Sequence, residues 1–231
     1  MKTMIFCVTL VVCLLGINVR SAFADLLINM SQVYNGATPS GVGAWGTAKF
    51  EDVTTGEVLL TMTNLLNSPT EYLAAWYFNL DPAFKPKNLV FTHVSGQAAK
   101  KITNRANNTE PPGQGGDFDI SFAYESANNV NRFKMDETSV YKIKAPGITS
   151  SSFKWFSENE NNSFVSVIAI RGIPINPYCS DTLSGEVAGT IPPASQAPVP
   201  ELGSMCAWGG IAGMVGLVSF LRQRRRRSDA V

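Results

Sequence analysis

The chain of 231 residues carries 19 Lys and Arg against 18 Asp and Glu, a formal net charge of +1, and is 45% hydrophobic. That length suits one sizeable folded domain with targeting segments and argues against two large domains. From residue 25 to 200 there are 12 Lys and Arg against 16 Asp and Glu, so the body is mildly acidic and offers no electrostatic footprint for nucleic acid.

Lys2 is followed by an almost unbroken apolar run from Thr3 to Val19 and then by Ala22-Phe23-Ala24. Small residues spaced in this way after a short apolar run mark a secretory cleavage site. Residues 1–24 are therefore expected to be a signal peptide cut after Ala24, with Ala22 and Ala24 as the recognised pair.

Residues 25–178 then read as short strands separated by turn chemistry. The clearest strand is 117–125, where Phe118, Ile120, Phe122 and Tyr124 alternate with Asp117, Asp119, Ser121 and Ala123. This period-2 pattern predicts four buried apolar side chains on one face, with Asp117 and Asp119 exposed on the other. The segment 70–80 repeats the pattern, with Tyr72, Ala74, Trp76, Phe78 and Leu80 expected on one side. Further strands are expected at 26–33, 45–53, 58–64, 88–95, 139–144, 152–157 and 163–171. Asn67-Ser68-Pro69, Asp81-Pro82, the Asn-, Gly- and Pro-rich stretch 103–116 and Ala145-Pro146-Gly147 supply turns. No window holds a helical stripe, so the expected fold is all-β, an antiparallel β-sandwich of jelly-roll type.

Few groups in this body suggest catalysis. The single histidine, His93, falls in an expected strand, and a lone strand histidine reads as structural. There is no Gly-x-Ser-x-Gly elbow, no HExxH helix and no phosphate-cradling glycine loop, so no enzymatic activity is expected. Asp117 and Asp119 lie two apart beside a Gly-rich stretch, which makes them a candidate start for an oxygen-ligand calcium site, with Asp136 and Glu137 as candidates to complete it. Trp45, Trp76, Tyr77 and Trp155 can stack on sugar rings if exposed; alternation puts Trp76 in the core and leaves Tyr77 the better exposed candidate. Of the four cysteines, only Cys179 lies outside the two apolar ends, so the body has no internal disulfide.

Beyond the body, residues 179–198 read as a linker that turns proline-rich from Thr190, and proline neither joins a sheet nor continues a helix. Val199-Pro200-Glu201-Leu202 follows, then an uncharged, glycine-rich run over 205–221, long enough to cross a bilayer marginally. Arg222, Arg224, Arg225, Arg226 and Arg227 come at once after it. A basic cluster stays on the cytoplasmic side, which puts the preceding domain outside the membrane and agrees with the leader.

The order of motif, apolar helix and arginine cluster over 199–227 resembles the PEP-CTERM sorting signal of exosortase substrates. The family's usual third motif residue is proline, and here it is Leu202. The resemblance implies processing near Pro200-Glu201 by a membrane-embedded, exosortase-like enzyme in a cell that makes extracellular polysaccharide. The stretches FNLDP, GGDFDISFAY and DETSVYKI also resemble the bodies of a group of PEP-CTERM surface proteins, which implies no catalytic residues. The expected protein is thus an exported structural or adhesive component of the cell surface or extracellular matrix, transiently anchored in the inner membrane. A carbohydrate-binding module acting on matrix polysaccharide is the alternative, and a secreted hydrolase the third reading.

Overall fold

The computed structural model describes residues 25–109, 111, 115–127, 129–157, 163–175 and 181–192. Their eleven strands are β1 (Leu26–Gly36), β2 (Gly46–Thr54), β3 (Glu57–Asn64), β4 (Tyr72–Phe78), β5 (Val90–Gly96), β6 (Lys101–Thr109), β7 (Phe118–Ala123), β8 (Phe133–Lys134), β9 (Thr138–Lys144), β10 (Ser166–Pro174) and β11 (Thr182–Thr190). Every pairing is antiparallel, and the hydrogen-bonded order is β5-β9-β3-β2-β1-β11-β10-β4-β7-β6, with β8 attached to β4. The fold is all-β, as alternation predicts. Its strands form one continuous path that curls into a half-barrel and faces itself across the core in a sandwich-like way.

β3 is the simplest case of sequence dictating structure. Val58, Leu60 and Met62 are fully buried while Glu57, Leu59, Thr61 and Thr63 are partly exposed. Side chains of a strand alternate between faces, so this order fixes which face meets the core. β2 and β9 repeat the rule with Ala48 and Phe50, and with Tyr141 and Ile143.

The curl is visible in the aromatic contacts. Phe122 on β7 meets Phe78 on β4 edge-on at 6.0 Å, and also Phe91 on β5 at 5.6 Å and Tyr141 on β9 at 5.0 Å. β7 lies near one end of the sheet and β5 and β9 at the other, so these rings bring the two ends together. Phe50 adds Phe78 at 5.2 Å and a stack on Phe153 at 4.3 Å. Burying each such ring contributes about 1.5–3 kcal/mol. The Tyr124 hydroxyl donates to Ser139 Oγ at 3.0 Å, tying the end of β7 to β9.

Four local expectations change. In 70–80 the residues that join the main core are Leu73, Trp76, Phe78 and Leu80 rather than one face through Tyr72 and Ala74; Tyr72 is buried outside that cluster and Ala74 is partly exposed. The pairing with β10 shifts between Ala169 and Ile170, and such a bulge moves the following side chains to the other face. The strand expected at 152–157 is a 3₁₀ turn at Ser150–Phe153, held because the Asp52 carboxylate accepts from Ser150 N–H at 2.6 Å and Oγ–H at 3.1 Å. The turn-rich stretch from 103 is mostly β6, whose pairing to β7 overrides its Asn-rich composition. Finally, residues 182–190 of the expected linker 179–198 form β11, paired to both β1 and β10.

β11 is disguised by its small residues. Glycine is required at 189, where a Cβ would press on Ile28 and Met30 at 2.6 and 2.7 Å. Gly172 in β10 has φ +78 beside a register shift, and a Cβ there would collide with the Thr70 carbonyl oxygen.

Because β11 fills the middle of the sheet, a chain ending at residue 178 leaves β1 and β10 without their shared neighbour. We expect such a chain to lack a cooperative urea transition, whereas one covering 25–192 shows one. A cooperative transition for the shorter chain would contradict this pairing.

Candidate functional site

Asp117 and Asp119 do not share a wet face. Phe118, Ile120, Phe122 and Tyr124 are all buried, as alternation predicts, but Asp119 is only 9% exposed and its Oδ2 accepts the Leu80 N–H at 3.0 Å. Ser121, which shares this face with Asp119, is also only 9% exposed, so the second face of β7 is covered as well. Phe118 leaves the face of Ile120 and packs with Phe164, Val167 and Ala188 in a second cluster, beside Tyr77 at 5.9 Å.

The other two carboxylates expected to join a calcium site lie elsewhere. Glu137 Oε2 accepts the Lys134 N–H at 2.7 Å, and Asp136 donates its N–H to the Asn64 carbonyl oxygen. Lys134 pairs with Tyr72 at the start of β4, whereas Asp119 serves Leu80 beyond its end, so about 25 Å of chain separates the two pairs. Among the described residues no three His, Cys, Asp or Glu side chains gather where they could hold a metal ion. His93 is exposed near the edge and lies 5.2 Å from the Tyr141 ring.

The aromatic candidates separate clearly. Trp76 is fully buried and donates its indole N–H to Ser166 Oγ at 3.0 Å; Trp45 is buried and donates to the Ser40 carbonyl oxygen at 3.0 Å. Trp155 is 42% exposed and its neighbour Phe156 61% exposed. Both sides of this tip are fixed. Phe153 before it is fully buried on Phe50, and Ser157 after it is 2% exposed, donating to the Gly115 carbonyl oxygen and accepting the Phe164 N–H, each at 3.0 Å. Two large rings are thus presented on a short, braced segment that needs little ordering to make contact.

A second constellation lies on the outer face, and sequence reading passed over it. Asn35, Glu186, Ala169, Ala75 and Ala123 stand directly opposite one another across β1, β11, β10, β4 and β7. Beside this row a register shift in β1 frees Tyr34 to pack on Phe164, with ring centroids 4.8 Å apart. Glu186 is 3% exposed, and its Oε2 accepts from Asn35 Nδ2 at 2.6 Å. Burial raises its pKa, against the opposing effects of the Asn35 hydrogen bond and the Arg171 charge. Burial also raises the pKa of Tyr34 and of Tyr77, and the charge of Glu186 pushes both further up. The signal in the sequence is a lone acid inside the small-residue run Ser184-Gly185-Glu186-Val187-Ala188-Gly189, a composition that otherwise belongs to a buried strand.

A third buried carboxylate, Glu71, is 1% exposed. Its Oε1 accepts both the N–H and the Oγ–H of Ser40 at 2.8 Å, pinning the loop before β2 to the start of β4, and its Oε2 has no partner among the described residues. These three features can bind or brace, but they do not set a nucleophile beside a base.

The expected signal peptide with Ala22 and Ala24, Cys179, the motif Val199-Pro200-Glu201-Leu202, the apolar run 205–221 and the arginines from Arg222 to Arg227 lie outside the described residues. Among the described residues no helix is long and apolar enough to cross a membrane. No protein-family model, curated protein or solved structure matches the chain.

Glu186 yields a test of its burial. Its raised pKa means that folding favours the protonated form; this contribution is full below the ordinary Glu value and is lost as pH rises through the folded-state value. At neutral pH the ionised group is a burden, which Glu186→Gln removes while keeping an acceptor for Asn35. The variant should melt about 2–4 °C higher than the parent at pH 7, and the gap should close toward pH 4. A lower melting temperature at pH 7 would show that the ionised carboxylate is needed.

Proposed function

We propose that this chain is an exported structural or adhesive component of the cell surface or extracellular matrix, delivered by a leader and sorted by its C-terminal segment. The observation that carries the proposal is the ordered tail: a proline-rich spacer, Val199-Pro200-Glu201-Leu202, an uncharged run over 205–221 and then Arg222 and Arg224 to Arg227. β11 ends at Thr190, directly before Ile191-Pro192-Pro193, which supports a folded body that stops where the spacer starts. The sandwich-like sheet is the delivered cargo, and its work is contact rather than chemistry.

The arginines hold the end of the chain in the cytoplasm and the apolar helix holds the spacer at the membrane surface. Proline keeps residues 199–201 extended, so an intramembrane, exosortase-like enzyme meets an accessible bond from the outer side. Mass spectrometry of the mature protein should find a start at Asp25 and no residues from 205 to 231. Replacing Pro200 and Glu201 with alanine should leave a membrane-bound precursor. Retention of 205–231 in the native protein, unchanged by the double substitution, would make the tail a simple anchor and refute sorting.

A second reading, carbohydrate contact, is favoured by Trp155, which is exposed on a braced segment, as an aromatic platform for a sugar face requires. Matrix polysaccharide is the ligand class. On a glycan array the parent should bind and Trp155→Ala should lose about tenfold or more, because taking a large apolar side chain out of water contributes about 1.5–3 kcal/mol and about 1.4 kcal/mol is tenfold. Absence of binding by the parent, or equal binding by the variant, would remove this reading without touching the first.

A further inference from the structure

We infer that β5 is a self-association edge: two copies of the chain pair their β5 strands antiparallel about Thr92, extending one sheet into the next. The inference does not rest on the sorting signal or on sugar binding. β5 and β6 are consecutive in sequence and joined only by residues 97–100, yet they occupy opposite ends of the sheet. β5 pairs with β9 on one side, and among the described residues no strand pairs with the other.

An open edge presents backbone donors and acceptors to any strand that fits, and proteins usually blunt such edges with charge, proline or irregular pairing. β6 has the first and the last of these protections. It carries Lys101 and Arg105, its pairing to β7 skips between Asn104 and Thr109, and Asn104 Nδ2 turns back to donate to the Pro86 carbonyl oxygen at 3.0 Å. β5 lacks both charge and proline, reading Val90-Phe91-Thr92-His93-Val94-Ser95-Gly96. From Thr92 onward every one of its residues is exposed, with Val90 59% and Val94 52% exposed. Its pairing to β9 is regular from Val90 to His93, and its register shift falls only after His93.

The occupant follows from the order of these residues. An antiparallel pair centred on Thr92 sets Val90 opposite Val94 of the second copy, Phe91 opposite His93, and Thr92 opposite Thr92. Each is a favourable cross-strand match: β-branched with β-branched, aromatic with aromatic, hydroxyl with hydroxyl. No like charges meet along the strand. On the flanking face Lys142 and Lys144 share Glu57, at 2.9 and 2.8 Å, which leaves one net positive charge there rather than two. A shallow depression of about 600 Å³ lined by Gly56, Asn88, Val90, Lys144 and Pro146 opens at the start of β5. In this register Asn88 stands opposite Gly96 of the second copy.

The test is position-specific cross-linking of the full chain with its four cysteines replaced by serine. Thr92→Cys, at the two-fold centre, should give a covalent dimer on mild oxidation, because opposed Cβ atoms across a strand pair lie close to disulfide range. Thr61→Cys, on the central strand β3, should not. Adding Val90→Lys and Val94→Lys sets like charges opposite each other and should lower the cross-linked fraction roughly fivefold or more. Val90→Lys with Val94→Glu restores opposite charges in the same register and should recover it. Equal cross-linking at Thr92 and Thr61, no covalent dimer at Thr92, or no difference between the two charge patterns would each overturn the inference. Association through the apolar run 205–221 would not give this dependence on position.

Discussion

A single sheet that must cover both sides of its own core is the constraint on which the rest of this structure depends. Among the described residues no long helix lies against the strands, so the sheet shields its apolar face by curling. The interior rings make that curl specific, since Phe122 touches residues from both ends of the strand order. Antiparallel strands twist naturally, and bulges in β1, β4 with β10, and β5 take up the bend. Two consequences come from the same geometry: an outer face with its own small cluster around Phe118 and Phe164, and, among the described residues, two end strands, β5 and β6, that do not pair with each other.

The outer cluster explains why acids occur where acids are costly. Glu186 and Glu71 are each tied to a neighbouring segment, Asn35 and Ser40 respectively, and each lies at a place where chain segments far apart in sequence are held in register. Burial disfavours the charged form of a carboxylate, so such residues specify which segments meet more than they stabilise the meeting. The exposed rings of Trp155 and Phe156 have the opposite character. Their neighbours Phe153 and Ser157 take the anchoring, and the tip is left for contact.

Strands with strict alternation were legible in the sequence. β3, β7 and β9 have apolar residues at every second position and form close to where they were expected. Alternation could not show that β7 is covered on its second face, because Asp119 reads as a surface acid until its neighbours across the sheet are known. The strand expected at 152–157 failed through local competition, since serines that hydrogen-bond to nearby groups and to Asp52 favour a tight turn. β6 and β11 were missed for two different reasons. Asparagine in β6 has low strand propensity, and glycine and alanine in β11 leave little periodicity, yet both strands are fixed by partners far away in sequence. The Glu186 constellation was hidden with β11, whereas the exposure of Trp155 could be decided only by the packing of Phe153 and Ser157.

The position of β11 also sets a clock. It is the last strand in sequence, yet it lies between β1 and β10, so β1 keeps a bare edge until Thr190 is in place. Contacts of such sequence separation form late, because a long loop must close before any reward is gained. The sheet therefore stays incomplete until nearly the whole body of the chain is available. The pairing of β11 with β1 and β10 then joins the first strand to the late strands, so the last strand to be made is the one that unites the sheet.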